Sequence, residues 1–174
     1  MRPEADEQRL ARGRGCVVVR MAHRAGILVP DNAFYLFQDG LINGVTWTGS
    51  AQGYSSYEIS DVLKARGYIW SGVSGTGSSS IITYVDLRGF RYLHFAYSAI
   101  SVLDGECPNI RACPNYVSTP SEGEGPWEAV YDLSAIPDLS NQLIMIQSGH
   151  VSKSSTSGSI NASITVNAVW ATRE

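Results

Sequence analysis

Near its C-terminus the chain alternates between apolar and polar residues. In "SINASITVNAVW", Ile160, Ala162, Ile164, Val166, Ala168 and Trp170 are apolar, whereas Asn161, Ser163, Thr165 and Asn167 are polar. Successive side chains of a strand point to opposite faces, so this period of two predicts a strand with one buried and one wet face. "FRYLHFAYSA" reads the same way, with Leu93, Phe95, Tyr97 and Ala99 on one face and Tyr92, His94 and Ser98 on the other. "NQLIMIQSG" is a continuous apolar run, which predicts a central strand covered on both sides. "NAFYLF", "GYIWSG", "SSSIITYVDL" and "EAVYDL" are β-rich and bounded by Gly, Pro, Asn or Ser. Trp70 and Trp170 fall within such segments and are assigned to the core. "SSYEISDVLKARG" reads either as one helical turn with a capping box or as a strand.

Between these elements stand "SGVSGTGSSS", "CPNIRACPNYVSTPSEGEGP" and "SGHVSKSSTSGS", all read as loops. The second is about twenty residues long, beyond the usual length of a connection without structure of its own. A count of about eight or nine short strands with regular turn signals predicts an all-β fold, a two-sheet antiparallel β-sandwich of jelly-roll type. One phrase recurs: "YVDLRGF" and "VYDLSAI" each end a strand with Asp-Leu before the chain turns into an apolar segment. Facing sheets need such crossings, with Leu87 and Leu133 inward and each Asp at the rim.

Charge divides the chain. Residues 1 to 30 carry six Arg against three acids, whereas the remainder carries seven basic and thirteen acidic side chains, for a net charge of -3 overall. The expected organisation is an extended Arg-rich N-terminal arm over residues 1 to 32 and a β-sandwich over 33 to 174. Arg9, Arg12, Arg14, Arg20 and Arg24 are its candidate assembly residues, expected to meet neighbouring subunits. Six arginines mixed with acids are a poor nucleic-acid signature, and no apolar run reaches the ~20 residues of a membrane-spanning helix. Neither partner is expected. Of three cysteines, Cys107 and Cys113 lie in "ECPNIRACPN", where a disulfide and two free thiols are both open readings. The histidines lack the paired ligand spacing of a metal site, and no cofactor motif is present.

Catalytic signatures are absent too. No Gly-x-Ser-x-Gly elbow occurs, and the acids of "SEGEGPWE" have no rigid scaffold to hold a glycosidase pair. Aromatic residues in polar segments are the stronger clue. Trp47, Tyr54 and Tyr57 lie in or beside "TWTGSAQGYSSYE", and Trp127 follows the acidic loop. Flat rings can meet the C–H patches of a pyranose, so these four are the candidate glycan contacts; the competing reading is that they cover the ends of the core or fill a subunit contact.

Three stretches carry a family resemblance. "FYLFQDGLINGVTWTG", "VDLRGFRYLHFAYSA" and "SITVNAVWATRE" together resemble the galactose-binding-like, or carbohydrate-binding-like, β-sandwich modules of bacteriophage virion proteins, over roughly residues 34 to 174. Phe37-Gln38-Asp39-Gly40 occupies the place of that family's opening turn, and Val169-Trp170 that of its closing strand. The resemblance implies a non-enzymatic structural protein of tail, baseplate or head decoration. Its partners would be other virion subunits and copies of itself, with a host-surface glycan as ligand and the extracellular particle as its location. The alternative is a lectin-type module of a bacterial cell-surface or secreted protein. The Cys-containing loop and the Arg-rich arm depart from the family pattern.

Overall fold

The computed structural model of the chain describes residues 17–21, 32–100, 108–113, 116–118, 123–154 and 158–174. Among these residues it contains no helix and fourteen strands. In chain order they are β1 (Val17–Met21), β2 (Phe34–Gln38), β3 (Leu41–Ile42), β4 (Thr48–Gly53), β5 (Ser56–Ile59), β6 (Leu63–Ile69) and β7 (Gly75–Val85). They continue as β8 (Tyr92–Ile100), β9 (Asn109–Ala112), β10 (Tyr116–Ser118), β11 (Gly123–Asp132), β12 (Gln142–Gln147), β13 (Val151–Lys153) and β14 (Ile160–Thr172). All pairings are antiparallel. One sheet runs β1-β11-β8-β14-β2-β3, and β6, carrying β5, pairs with the first half of β14. The other runs β10-β9-β12-β7-β13, with β4 on the free edge of β7.

The β-sandwich expected from the alternation is therefore present, with more and shorter strands than the segments suggested. "SSYEISDVLKARG" is the β5–β6 hairpin and not a helical turn. The long Cys-containing segment is not one loop, since it holds β9, β10 and the start of β11. Most of "SGVSGTGSSS" belongs to β7, and "SGHVSKSSTSGS" contains β13.

The core lies between the sheets. Leu63, Phe95, Tyr97, Ala129, Tyr131, Ile164, Val166 and Val169 on one side meet Ile81, Ile110, Ile144 and Ile146 on the other. Tyr131 also spans the gap, its hydroxyl donating to the Ile110 carbonyl oxygen at 3.1 Å. A two-residue turn at Asp39-Gly40 joins β2 to β3; both have positive φ, 47° and 78°, as the hairpin turn that matches strand twist requires.

Strand β14 departs from its own sequence pattern. Its register against β8 shifts between Val166 and Ala168, leaving Asn167 as an extra residue. A bulge of one residue exchanges the two faces of everything beyond it. Val169 and Ala171 consequently enter the core, and Ala168 and Trp170 turn to the outer face. Trp170 is still buried, in a separate small cluster with Ala96 and Ala168. The expectation that Trp170 lies between the sheets is corrected by this bulge.

A second irregularity separates β12 from β13. Three residues, 148 to 150, stand against two on β7, so the ladder is interrupted there. Buried Ser148 repairs it: its Oγ accepts from the Ser79 amide at 3.0 Å and donates to the Gly149 carbonyl. A buried backbone N–H left alone would be costly, so the side chain stands in for the missing strand neighbour.

The repeated Asp-Leu phrase is one conformation used twice. Asp86 Oδ1 accepts from the Arg88 amide at 3.0 Å, and Asp132 Oδ1 from the Ser134 amide at 2.9 Å. In each copy the leucine is buried and its carbonyl accepts an amide three residues on, Phe90 to Leu87 and Ile136 to Leu133. Asp138 makes the same contact with the Ser140 amide at 2.9 Å, in a third Asp-Leu pair. The aspartate supplies locally the acceptor that the strand no longer offers, which is why Asp is used there.

These turns predict an acid sensitivity. The Arg88 side chain, then its amide, holds the Asp86 carboxyl down at about 2, against an ordinary 3.8. Hydrogen bonds from the Ser134 and Ser140 side chains, then from their amides, lower Asp132 and Asp138. A carboxyl lowered in the folded state contributes stability above its unfolded value and loses it as pH falls through the folded one. The melting temperature should thus decline as pH drops from about 4 toward 2. Replacing all three aspartates by Asn should flatten that decline; an unchanged profile would remove them from the acid response.

The arm is placed in part. Val17–Met21 pairs with β11 of its own chain, Arg20 standing opposite Glu128 in register. This segment extends the sheet of its own body. Arg9, Arg12, Arg14 and Arg24 lie outside the described residues.

Candidate carbohydrate-binding face

Strand β6 builds the site. Leu63, Ala65, Gly67 and Ile69 are buried toward the core, so Lys64, Arg66 and Tyr68 face outward, followed by Trp70 at the strand end. Trp70 is 51% exposed. It meets two tyrosines nearly at right angles: Tyr68, with ring centroids 5.2 Å apart, and Tyr54 from the β4–β5 turn, at 5.7 Å. The Arg66 guanidinium lies 4.3 Å over the Tyr68 ring, and its Nε donates to Asn161 Oδ1 at 3.1 Å. Arg66, Tyr68, Trp70 and Tyr54 thus form a continuous row, a cation over a ring followed by edge-on ring pairs, beside the polar face of β14.

Two features hold this row in place. Gly53 has φ +64°, and a Cβ there would sit 2.0 Å from the Thr76 carbonyl oxygen, so only glycine lets β4 turn so closely before Tyr54. The Tyr54 ring then rests against Gly75, where a Cβ would come within 3.1 Å of it. Behind Trp70, the buried Lys153 ammonium donates to the Trp70 carbonyl oxygen at 2.9 Å and also to that of Gly158. A buried cation solvated by backbone carbonyls ties the end of β6 to the segment after β13.

Of the four aromatics proposed from sequence, only Tyr54 belongs to this row. Trp47 is corrected: it is 6% exposed, a core residue meeting Phe37 edge-on with ring centroids 6.4 Å apart. Tyr57 is exposed at the sandwich margin, opposite Ala65 in register, with its ring over Gly49. Trp127 is half-buried against the core, opposite Tyr97. Trp70, assigned to the core from sequence, is instead the most exposed tryptophan of the described residues. Continuing the alternation from Leu63 through "LKARGYIW" would have placed it outward with Arg66 and Tyr68.

Other surface features are poorer sites. Tyr84 borders an open depression of about 510 Å³ with Gly44, Val45, Thr46 and Thr48, but as a single ring. His94 is committed to structure: it stacks on Trp170 at 4.9 Å, with Nδ1 2.9 Å from Glu128 Oε1 and Nε2 3.0 Å from Thr172 Oγ1. Among the described residues no group of three or more His, Cys, Asp or Glu could hold a metal ion. Cys113 is a free thiol whose burial raises its pKa to about 11; Cys107 lies outside the described residues.

No family model matches the sequence, and no curated protein matches it. Among solved structures, the chain is similar to one from a study of the promiscuous specificity of carbohydrate-binding modules of the β-sandwich superfamily. The identity is 16% and the TM-score 0.47, over 88% of this chain and 72% of that one.

Proposed function

We propose that this chain is a non-catalytic carbohydrate-binding β-sandwich module, with the row Tyr54, Trp70, Tyr68 and Arg66 as its binding face. The observation that carries this reading is the exposure of Trp70 and Tyr54, with Trp70 packed edge-on against both Tyr54 and the half-buried Tyr68. An indole left half in water retains apolar surface that a pyranose C–H face can cover. Rings already fixed by each other lose little freedom when a ligand arrives. Arg66 and Asn161 beside them supply polar partners for hydroxyls.

Trp70→Ala should weaken binding of glycans in calorimetric titration by roughly tenfold or more, for a lost contact worth about 1.5 kcal/mol, with the melting temperature nearly unchanged. A sharp fall in melting temperature would return Trp70 to a structural role. Binding unaffected by the substitution would move the site elsewhere.

The setting on a phage particle, outside the cell and among other virion subunits and copies of itself, is the outer part of the proposal. It is supported by the sequence resemblance. Incorporation of the tagged chain into purified particles tests it, and a lectin-type module of a bacterial surface would be absent from them.

A further inference from the structure

Resting on the carbohydrate-binding reading, we infer that the ligand is an acidic sugar, its carboxylate taken by the free edge of the Arg66 guanidinium while its ring covers Trp70. Arg66 is held before any ligand arrives: Nε is bound to Asn161 Oδ1, and the central carbon of the group lies 4.3 Å from the centre of the Tyr68 ring. Its two terminal nitrogens make no hydrogen bond among the described residues. A planar guanidinium fixed at Nε with both terminal nitrogens free presents a fork suited to a carboxylate.

The surrounding charge agrees. In register, Arg66 stands between Ser56 on β5 and Ser163 on β14, neither of them acidic. The nearest cation on the same face, Lys64, stands opposite Glu58, so that charge has a counter-charge in register. Among the described residues the ion pairs are Arg88 with Asp86 and His94 with Glu128; Arg66 is in neither. The chain as a whole is acidic, at net -3. An unneutralised, pre-positioned cation at the end of an aromatic row therefore selects strongly, since the remaining surface does not attract anions in general.

A neutral sugar would satisfy the rings but leave the fork solvated. A uronate or sialate engages both, and a hydrogen-bonded charge pair at a partly buried group is worth roughly ten- to a hundredfold in affinity.

The test titrates the folded chain with uronate- and sialate-terminated oligosaccharides and with the methyl ester of each, which keeps the ring and removes the charge. At least one free acid should bind roughly tenfold or more tighter than its ester, with the difference shrinking as salt screens the pair. Arg66→Gln should reduce the acid to the level of the ester, and Arg66→Lys should restore part of the difference, with melting curves confirming that both variants fold. Trp70→Ala should weaken acid and ester alike. Acid and ester binding equally, with Arg66→Gln silent, would overturn the acidic-sugar inference and leave the carbohydrate-binding reading standing. Should no sugar bind, neutral glycans included, both would fall.

Discussion

Replacing Trp47 by alanine is expected to destabilise the protein by about 3–5 kcal/mol, the cost of emptying a large aromatic site that neighbours cannot refill. For a domain of this size that corresponds to a drop of roughly 6–20 °C in melting temperature. The residue is 6% exposed and packs edge-on against Phe37, itself fully buried. The segment carrying it is also tied down by Thr83, whose buried hydroxyl donates to the Thr46 carbonyl oxygen at 2.8 Å. Trp47→Phe should cost much less, because a ring remains to meet Phe37. Thermal unfolding of both variants distinguishes this from a surface role: an alanine variant with unaltered stability and lost sugar binding would restore Trp47 as a ligand contact. The contrast with Trp70→Ala is the useful part, since the two tryptophans exchange the roles that their sequence surroundings suggest.

Deleting Thr165 should have a larger effect still, a loss of at least about 4 kcal/mol or failure to fold. Thr165 stands opposite Ser98 of β8 and Lys64 of β6, two residues before the bulge residue Asn167. Removing it leaves two outcomes. If the pairing beyond the bulge is kept and the bulge absorbs the gap, Val166 moves to the outer face opposite Ser98 and Asn167 moves into the core opposite Tyr97. If the bulge is kept, the strand before it slips by one residue and Ile164 and Ala162 turn outward. The first buries an amide in an apolar core; the second breaks ladder hydrogen bonds with β6 and β8. Deleting Asn167 itself joins Val166 to Ala168, keeps Val166, Ala168 and Val169 opposite Tyr97, Ala96 and Phe95, and should cost about 1 kcal/mol at most. Comparing soluble yield and denaturant midpoints of the two deletions checks the argument. A Thr165 deletion as stable as the Asn167 deletion would show that pairing with β8 does not set the faces.

The same strand shows where sequence reading succeeds and where it stops. From Ile160 to Val166 every second residue is apolar and its neighbours are largely polar, so the buried face is legible without any structure. Past Asn167 the chain reads Ala168, Val169, Trp170, Ala171, all apolar, and either parity is consistent with a buried face. Pairing with β8 and β2 settles the choice, and those strands lie more than sixty residues away in sequence. β6 behaves otherwise. Its alternation from Leu63 to Ile69 does assign Arg66 and Tyr68 outward, and Trp70 follows in step; what obscures this is the presence of a tryptophan in a β-rich segment, which suggests a core.

By itself, then, the sequence determined the all-β class, the antiparallel sandwich and the two Asp-Leu turns. Each of these rests on interactions that are local or periodic: alternation along one strand, or an aspartate oxygen meeting an amide two residues on. Only the tertiary structure decided which tryptophans are covered. Burial of a side chain depends on what the opposite sheet and adjoining strands bring to it. Phe37 arrives over Trp47, whereas beyond Trp70 stand only Tyr54 and Tyr68, edge-on, with half of the indole left to water.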